Sequence, residues 1–136
     1  HQLLAVLELV SRFPNQKFII NHIAKPYIKD GFYKGWADLI SVIGQYSNVY
    51  CKLSGMSTEA DYISWTPQQI EPYMQLALDA FGSNRLLFGS DWPVSLVAGD
   101  YRKTKELVTN FIAKLSFKEQ EAIMGGNAIQ FYKLWI

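Results

Sequence analysis

The stretch Arg85–Ser95, RLLFGSDWPVS, is an apolar run that empties into an acid. Leu86 to Gly89 offers no polar side chain, Ser90 and Asp91 follow at once, and Trp92-Pro93 stops the pattern. A run without alternation is apolar on both faces, which is how a strand inside a parallel sheet reads. Such a strand carries its own end into the interior, where even a neutral polar group without a partner costs on the order of 2–7 kcal/mol. Asp91 is therefore expected to meet a hydrogen-bond donor, a cation or a metal ion.

Two more runs of this kind lie upstream: Lys17–Asn21 (KFIIN), ending at His22, and Asn48–Leu53 (NVYCKL), closed by Ser54-Gly55. Helical spacing fills the intervals. Leu3, Leu4, Val6, Leu7, Leu9 and Val10 form one apolar face, halted by Arg12-Phe13-Pro14-Asn15 because proline disfavours a helical predecessor. Trp36, Leu39, Ile40 and Ile43 mark a second helix within residues 33–46. The polar segment Met56 to Thr66 has no period and reads as a loop. Thr66 as N-cap and Pro67 in the first turn then open a helix carrying Ile70, Tyr73, Met74, Ala77, Leu78 and Phe81, ended by Gly82.

Beyond Asp91, Leu107, Val108, Phe111 and Ile112 predict a helix over residues 101–115. Ser116 with Glu119 makes a capping box for a short one. Gly125-Gly126 reads as a break, and Asn127 as the cap of a last helix reaching Trp135.

Strands alternating with helices call for a parallel sheet with right-handed crossovers, an α/β architecture. The strand starts Lys17, Asn48 and Arg85 lie 31 and 37 residues apart, close to the roughly 31 residues per unit of an eight-unit barrel. Three or four such units make half a TIM barrel; an open doubly wound sheet has the same alternation, and spacing alone fits both.

With 136 residues, 49% of them hydrophobic, the chain suits a single folded domain. A net charge of +1 gives no field to steer nucleic acid or an anionic membrane surface. No apolar run reaches the roughly 18 to 20 residues that cross a bilayer, and no signal stretch opens the chain. Cys51 is alone, so a reducing cytoplasm is expected, and the thiol reads as a small core residue. Because the amphipathic pattern begins at His1 without lead-in, the chain reads as a fragment; His1 itself reads as surface.

Chemistry in parallel α/β folds gathers at the carboxyl ends of the strands. Here those ends read NHIAKP (21–26), CKLSG (51–55) and GSDWP (89–93), each with an ionisable or metal-capable side chain. Each also has a plainer reading: His22 as a hydrogen-bonded strand-end residue, Asp91 as a turn cap, Lys25 as a solvated loop charge and Lys52 as a chain lying along the wall with its head in water. Trp92, Tyr27, Trp65 and Tyr101 are candidates for a substrate mouth, in a chain where aromatics are abundant. Met124–Asn127 lacks the preceding strand of a phosphate loop and is assigned to capping.

FIINHIAKP, NVYCKLSG, RLLFGSDWPVS and GGNAIQFYKL, in this order, resemble the C-terminal half of the amidohydrolase superfamily, in the amidohydrolase 2 branch that holds sugar-acid lactonases of the fuconolactonase, rhamnonolactonase and 2-pyrone-4,6-dicarboxylate lactonase type. The resemblance implies that residues 1–136 form one partial barrel domain with strands six to eight. It implies hydrolysis of a cyclic ester in a sugar-acid or carboxylated ring. Asp91 then matches the base that activates water and touches the metal; His22 matches a residue that polarises the carbonyl or sits beside the metal. Lys25, Lys52 and Trp92 are expected to bind substrate. One divalent ion, zinc foremost, is implied, with a metal-free site open on equal terms.

The chemistry suits these residue types, because opening a lactone needs a base for water and a donor or cation for the oxyanion. The metal-binding HxH pair of the family is absent from this sequence, and a zinc site generally needs three or four protein ligands. The N-terminal barrel half is therefore expected to be missing, and either that half or a second copy should cover the strand edges left bare. Amide or phosphoester hydrolysis and decarboxylation are the alternatives within the superfamily. A non-catalytic half-barrel acting in assembly or binding is the alternative outside it.

Overall fold

The computed structural model of the chain describes residues 2–135, so the expectation for His1 lies outside the described residues. The elements in order are α1 (Gln2–Arg12), β1 (Phe18–Ile20), α2 (Lys34–Ile43), β2 (Val49–Leu53), α3 (Pro67–Phe81), β3 (Leu86–Phe88), α4 (Tyr101–Ile112), α5 (Phe117–Glu121) and α6 (Asn127–Tyr132). The strands form one sheet ordered β1-β2-β3, all parallel, with Ile20 beside Cys51 and Cys51 beside Leu86. Order in space follows order in sequence, as helix-mediated crossovers of one hand produce.

Side-chain alternation sorts the two faces of β2. Val49, Cys51 and Leu53 are fully buried and join Ile40, Ile43, Ile70, Met74 and Ala77 of α2 and α3 in the core. Each large aliphatic side chain there gains about 1.5–3 kcal/mol by leaving water. Tyr50 and Lys52 take the other face and are only half-buried; Tyr50 meets Phe131 edge-on at 4.9 Å.

At the amino ends of the strands, polar side chains satisfy main-chain carbonyls. The Arg85 guanidinium, in the turn before β3, donates to Tyr46 O (2.8 Å), Val49 O (2.9 Å), Gly44 O (2.8 Å) and Ala80 O (3.3 Å). Asn48 donates to Phe13 O and Gln16 O at 3.1 and 2.8 Å. Arg85, expected inside the strand, therefore precedes it and closes the carboxyl ends of α2 and α3.

The last helix departs from expectation. Gly125-Gly126 does not break the chain: residues Ala122–Gly126 widen into a π turn that runs straight into α6, which ends at Tyr132 and not at Trp135. Asn127 is no cap. Its backbone is helical and its buried amide donates to Ser83 O and Leu86 O, both at 2.7 Å. The two amide protons match two carbonyls, Ser83 O in the turn before β3 and Leu86 O at the start of that edge strand, and that demand outweighs the stop signal of the glycines.

The Met56–Thr66 loop is present but its first part is buried, at Met56, Ser57, Thr58 and Ala60, and Trp65 returns to the core after the exposed Tyr62 and Ile63. The predicted caps of α3 and α5 form: Gln69 Oε1 accepts from Thr66 N at 3.0 Å, and Glu119 Oε2 accepts from Ser116 N at 3.0 Å. No helix among the described residues is long and apolar enough to cross a membrane.

Candidate active site

β1 stops at Ile20 because the backbone then turns left-handed. His22, Ile23, Ala24 and Lys25 have φ of 54°, 44°, 61° and 50°. Non-glycine residues held there cost of order 1–3 kcal/mol each and persist only where neighbours impose the shape. Ile23 is fully buried, and its carbonyl accepts from Trp36 Nε1 at 2.7 Å, so α2 pins the turn from beneath. Asp91, at the end of β3, is also left-handed, with φ 56°.

These turns bring the two ends together. His22 Nε2 lies 3.5 Å from Asp91 Oδ1, with the Asp91 side chain 9% exposed. That separation exceeds the 2.7–3.2 Å of a formed N–H···O bond, so the groups face each other without being locked. The other ring nitrogen, Nδ1, is 2.8 Å from Ser54 Oγ. Burial lowers the His22 pKa from 6.5; the Asp91 carboxylate opposes this, Lys25 and Lys52 reinforce it, and Glu59 opposes it again. Asp91 thus finds its partners, and they are side chains.

The end of β2 supplies groups that sequence reasoning passed over as a closing turn and a loop. Ser54 is 1% exposed and holds the His22 ring. Gly55 has φ 61°, and a Cβ on it would stand 2.7 Å from His22 Nδ1, so both backbone and space require glycine. Thr58 Oγ1 lies 2.9 Å from Gly55 O and 3.4 Å from Asp91 Oδ2. A hydroxyl has one proton, so the shorter bond takes it and the Asp91 contact is secondary. Glu59 Oε1 lies 2.5 Å from Lys25 Nζ. The available signal was positional: these residues follow a strand's carboxyl end, where the other site residues were sought.

Lys52 Nζ sits 5.5 Å from the centre of the Tyr132 ring, on the same face as Tyr50. It feels His22 electrostatically without touching it. Trp92 is 65% exposed beside Asp91 and makes no aromatic contact among the described residues. Tyr27 and Tyr101 are exposed as a mouth requires, but Trp65 is buried and donates to Ala98 O at 2.7 Å, so its size fills core space. Burial pushes the Cys51 thiol up to about 12, as befits a core residue.

A groove of 770 Å³ runs beside the free edge of β1 between α1 and α2, with His22, Lys25 and Glu59 at one end. Asp91 does not line it. A metal ion could take His22 Nε2 and Asp91 as ligands, with the Ser54 contact orienting the ring as outer partners do. Two donors are short of the three or four a zinc site needs, and no group of three or more His, Cys, Asp or Glu among the described residues is placed to hold one.

The family model described as amidohydrolase matches residues 1–134. An L-fucono-1,5-lactonase of Burkholderia ambifaria is 35% identical over 96% of this chain and 46% of its own length. An L-rhamnono-gamma-lactonase of Scheffersomyces stipitis is 26% identical over 74% of this chain and 34% of its own length. A solved amidohydrolase of Burkholderia multivorans with bound zinc superposes with a TM-score of 0.94 at 35% identity, over 98% of this chain and 50% of that one. The chain spans about half the length of the fuconolactonases it matches. Its three parallel strands and their helices are half of a (β/α)8 barrel, and the doubly wound alternative drops out.

Proposed function

This chain belongs to the amidohydrolase family, and from that we propose that it carries half the active site of a hydrolase that opens the lactone ring of a sugar acid. The observation that carries the reading is the meeting of His22 and Asp91, 3.5 Å apart at the ends of two strands. The fuconolactonase and rhamnonolactonase relatives favour a lactone over an amide, a phosphoester or a decarboxylation.

In this reading Asp91 removes a proton from water as the oxygen attacks the lactone carbonyl carbon. The tetrahedral adduct then expels the ring oxygen, the C–O bond breaks, and the proton held by Asp91 passes to that oxygen. The product is the open hydroxy acid. His22 has two arrangements. With Ser54 donating to Nδ1, the Nε2–H faces Asp91 and the carbonyl oxygen; with Nδ1–H donating to Ser54, the bare Nε2 is free to be a ligand. A divalent ion, when bound by His22 and Asp91 and by donors beyond the described residues, supplies Lewis-acid polarisation of the carbonyl.

Lys25 and Lys52 bind substrate oxygens in this scheme, and Trp92 gives the mouth an apolar wall. Residues 1–136 act as one partial domain, strands six to eight, with a second set of strands completing the barrel along the bare edges of β1 and β3. A lone buried thiol fits a cytoplasmic setting.

Asp91→Asn tests the assignment. It keeps shape and hydrogen bonding but removes the base, so ring opening by the full-length protein should fall about 10²–10⁴-fold in kcat with the circular dichroism spectrum unchanged. Full activity in that variant would end the proposal.

A further inference from the structure

The rim of the site carries an ion pair of which the proposed chemistry uses only the Lys25 half. Lys25, from the left-handed turn after β1, meets Glu59, from the loop after β2, with Nζ 2.5 Å from Oε1. The Lys25 side chain is 52% exposed and Glu59 only 18%. With its Lys25 end in water, the pair contributes little to stability, about 0–1 kcal/mol by the standard of surface pairs. Lys25 and Glu59 stand on the same two loops, after β1 and β2, that carry His22 and Ser54, and both act electrostatically on His22, so the pair borders the His22–Asp91 cluster.

Charge decides what such a pair can hold. The charged groups that act on His22 are Lys25, Lys52, Asp91 and Glu59, two ammonium groups against two carboxylates. A free Lys25 would attract a substrate carboxylate. A Lys25 already neutralised by Glu59 gains nothing from a second carboxylate, and that newcomer would stand against the carboxylate of Glu59, a juxtaposition that specific sites use for rejection. A sugar ring's adjacent hydroxyls suit the pair instead. One hydroxyl donates to Glu59 Oε2, the oxygen that Lys25 leaves open, and the next accepts from one of the two remaining Lys25 N–H groups.

Building on the lactonase reading, we propose that Glu59 is a specificity-determining residue: paired with Lys25, it makes this part of the rim bind two neighbouring hydroxyls of the ring and turn away a ring that bears a carboxylate there. Glu59 makes this choice by its charge, since its shape alone would leave Lys25 free to take an anion.

The test compares an aldonolactone with the matching aldarolactone, which differ only in a terminal hydroxymethyl against a carboxylate. The full-length wild-type protein should prefer the aldonolactone in kcat/KM. Glu59→Gln keeps the length and one acceptor but removes the charge, and should shift that preference at least about tenfold towards the aldarolactone, mainly through KM. Lys29→Met serves as control, because it breaks the adjacent Lys29–Asp61 tie (3.1 Å) between the same two loops and leaves the Lys25 pair intact; its preference should stay as in the wild type.

An equal fall on both lactones in Glu59→Gln, or the same shift in Lys29→Met, would reduce the pair to a loop tie and overturn the proposal. A wild-type protein that opens neither lactone but hydrolyses another bond would instead remove the lactonase reading, and this inference with it.

Discussion

The two ends of this sheet bury polar groups in opposite ways. At the amino ends, Arg85, Asn48 and Asn127 give their protons to main-chain carbonyls of Gly44, Tyr46, Val49, Ala80, Phe13, Gln16, Ser83 and Leu86. At the carboxyl ends, His22, Ser54, Asp91, Thr58, Lys25 and Glu59 meet one another through side chains. The backbone differs as well: His22, Ile23, Ala24, Lys25 and Asp91 all have positive φ, and no non-glycine residue of the amino-end group does. A carbonyl held by a donor has only that bond to lose. Side chains that face each other at 3.5 Å can exchange partners when a ligand arrives, and barrels place stability and chemistry at opposite ends in this manner.

Substitutions should separate the two ends, beginning with the one of greatest effect. Asp91→Asn should cost about 10²–10⁴ in kcat yet leave the unfolding free energy from urea titration within about 0.5 kcal/mol of wild type, since asparagine tolerates a left-handed backbone. A large loss of stability there would erase the contrast. Arg85→Met should do the reverse. Removing the guanidinium takes a donor from four carbonyls, of which Tyr46 O keeps the Val49 N–H at 3.1 Å, and should lower unfolding free energy by about 3 kcal/mol, while kcat per folded molecule stays unchanged. Asn127→Ala, with two carbonyls at stake, should cost about 2 kcal/mol by the same urea titration.

Gly55→Ala belongs to the site end and should mix the two signatures. Its left-handed φ and its 2.7 Å approach to His22 should cost about 1–2 kcal/mol in stability and lower activity by displacing the ring. The smallest effect concerns pH. The native His22 pKa lies below 6.5, so below pH 6.5 the unfolded chain takes up a proton that the native state resists, and stability falls as pH drops through that value towards the native one. Urea titrations of wild type and His22→Gln across that window should differ in slope, the variant being flatter.

Much of this was legible in the sequence for a physical reason. Burial imposes a period, so the helices and the three strands could be read from Leu, Ile and Val spacing, and His22 and Asp91 stood out as polar groups ending apolar runs. Ser54, Thr58 and Glu59 did not, because a buried loop has no period to betray it. Arg85 and Asn127 were misread because their work is done on carbonyls far off in the chain. Gly125-Gly126 before Asn127 has the composition of a helix stop, and only the widened turn around it shows that the helix continues.

Cys51 gives the sheet a reporter of its own. The chain's single thiol sits at the middle of the central strand, with no exposed surface and a pKa of about 12. An alkylating reagent therefore reacts only with molecules whose sheet has come apart, and the rate of labelling under native conditions counts those openings.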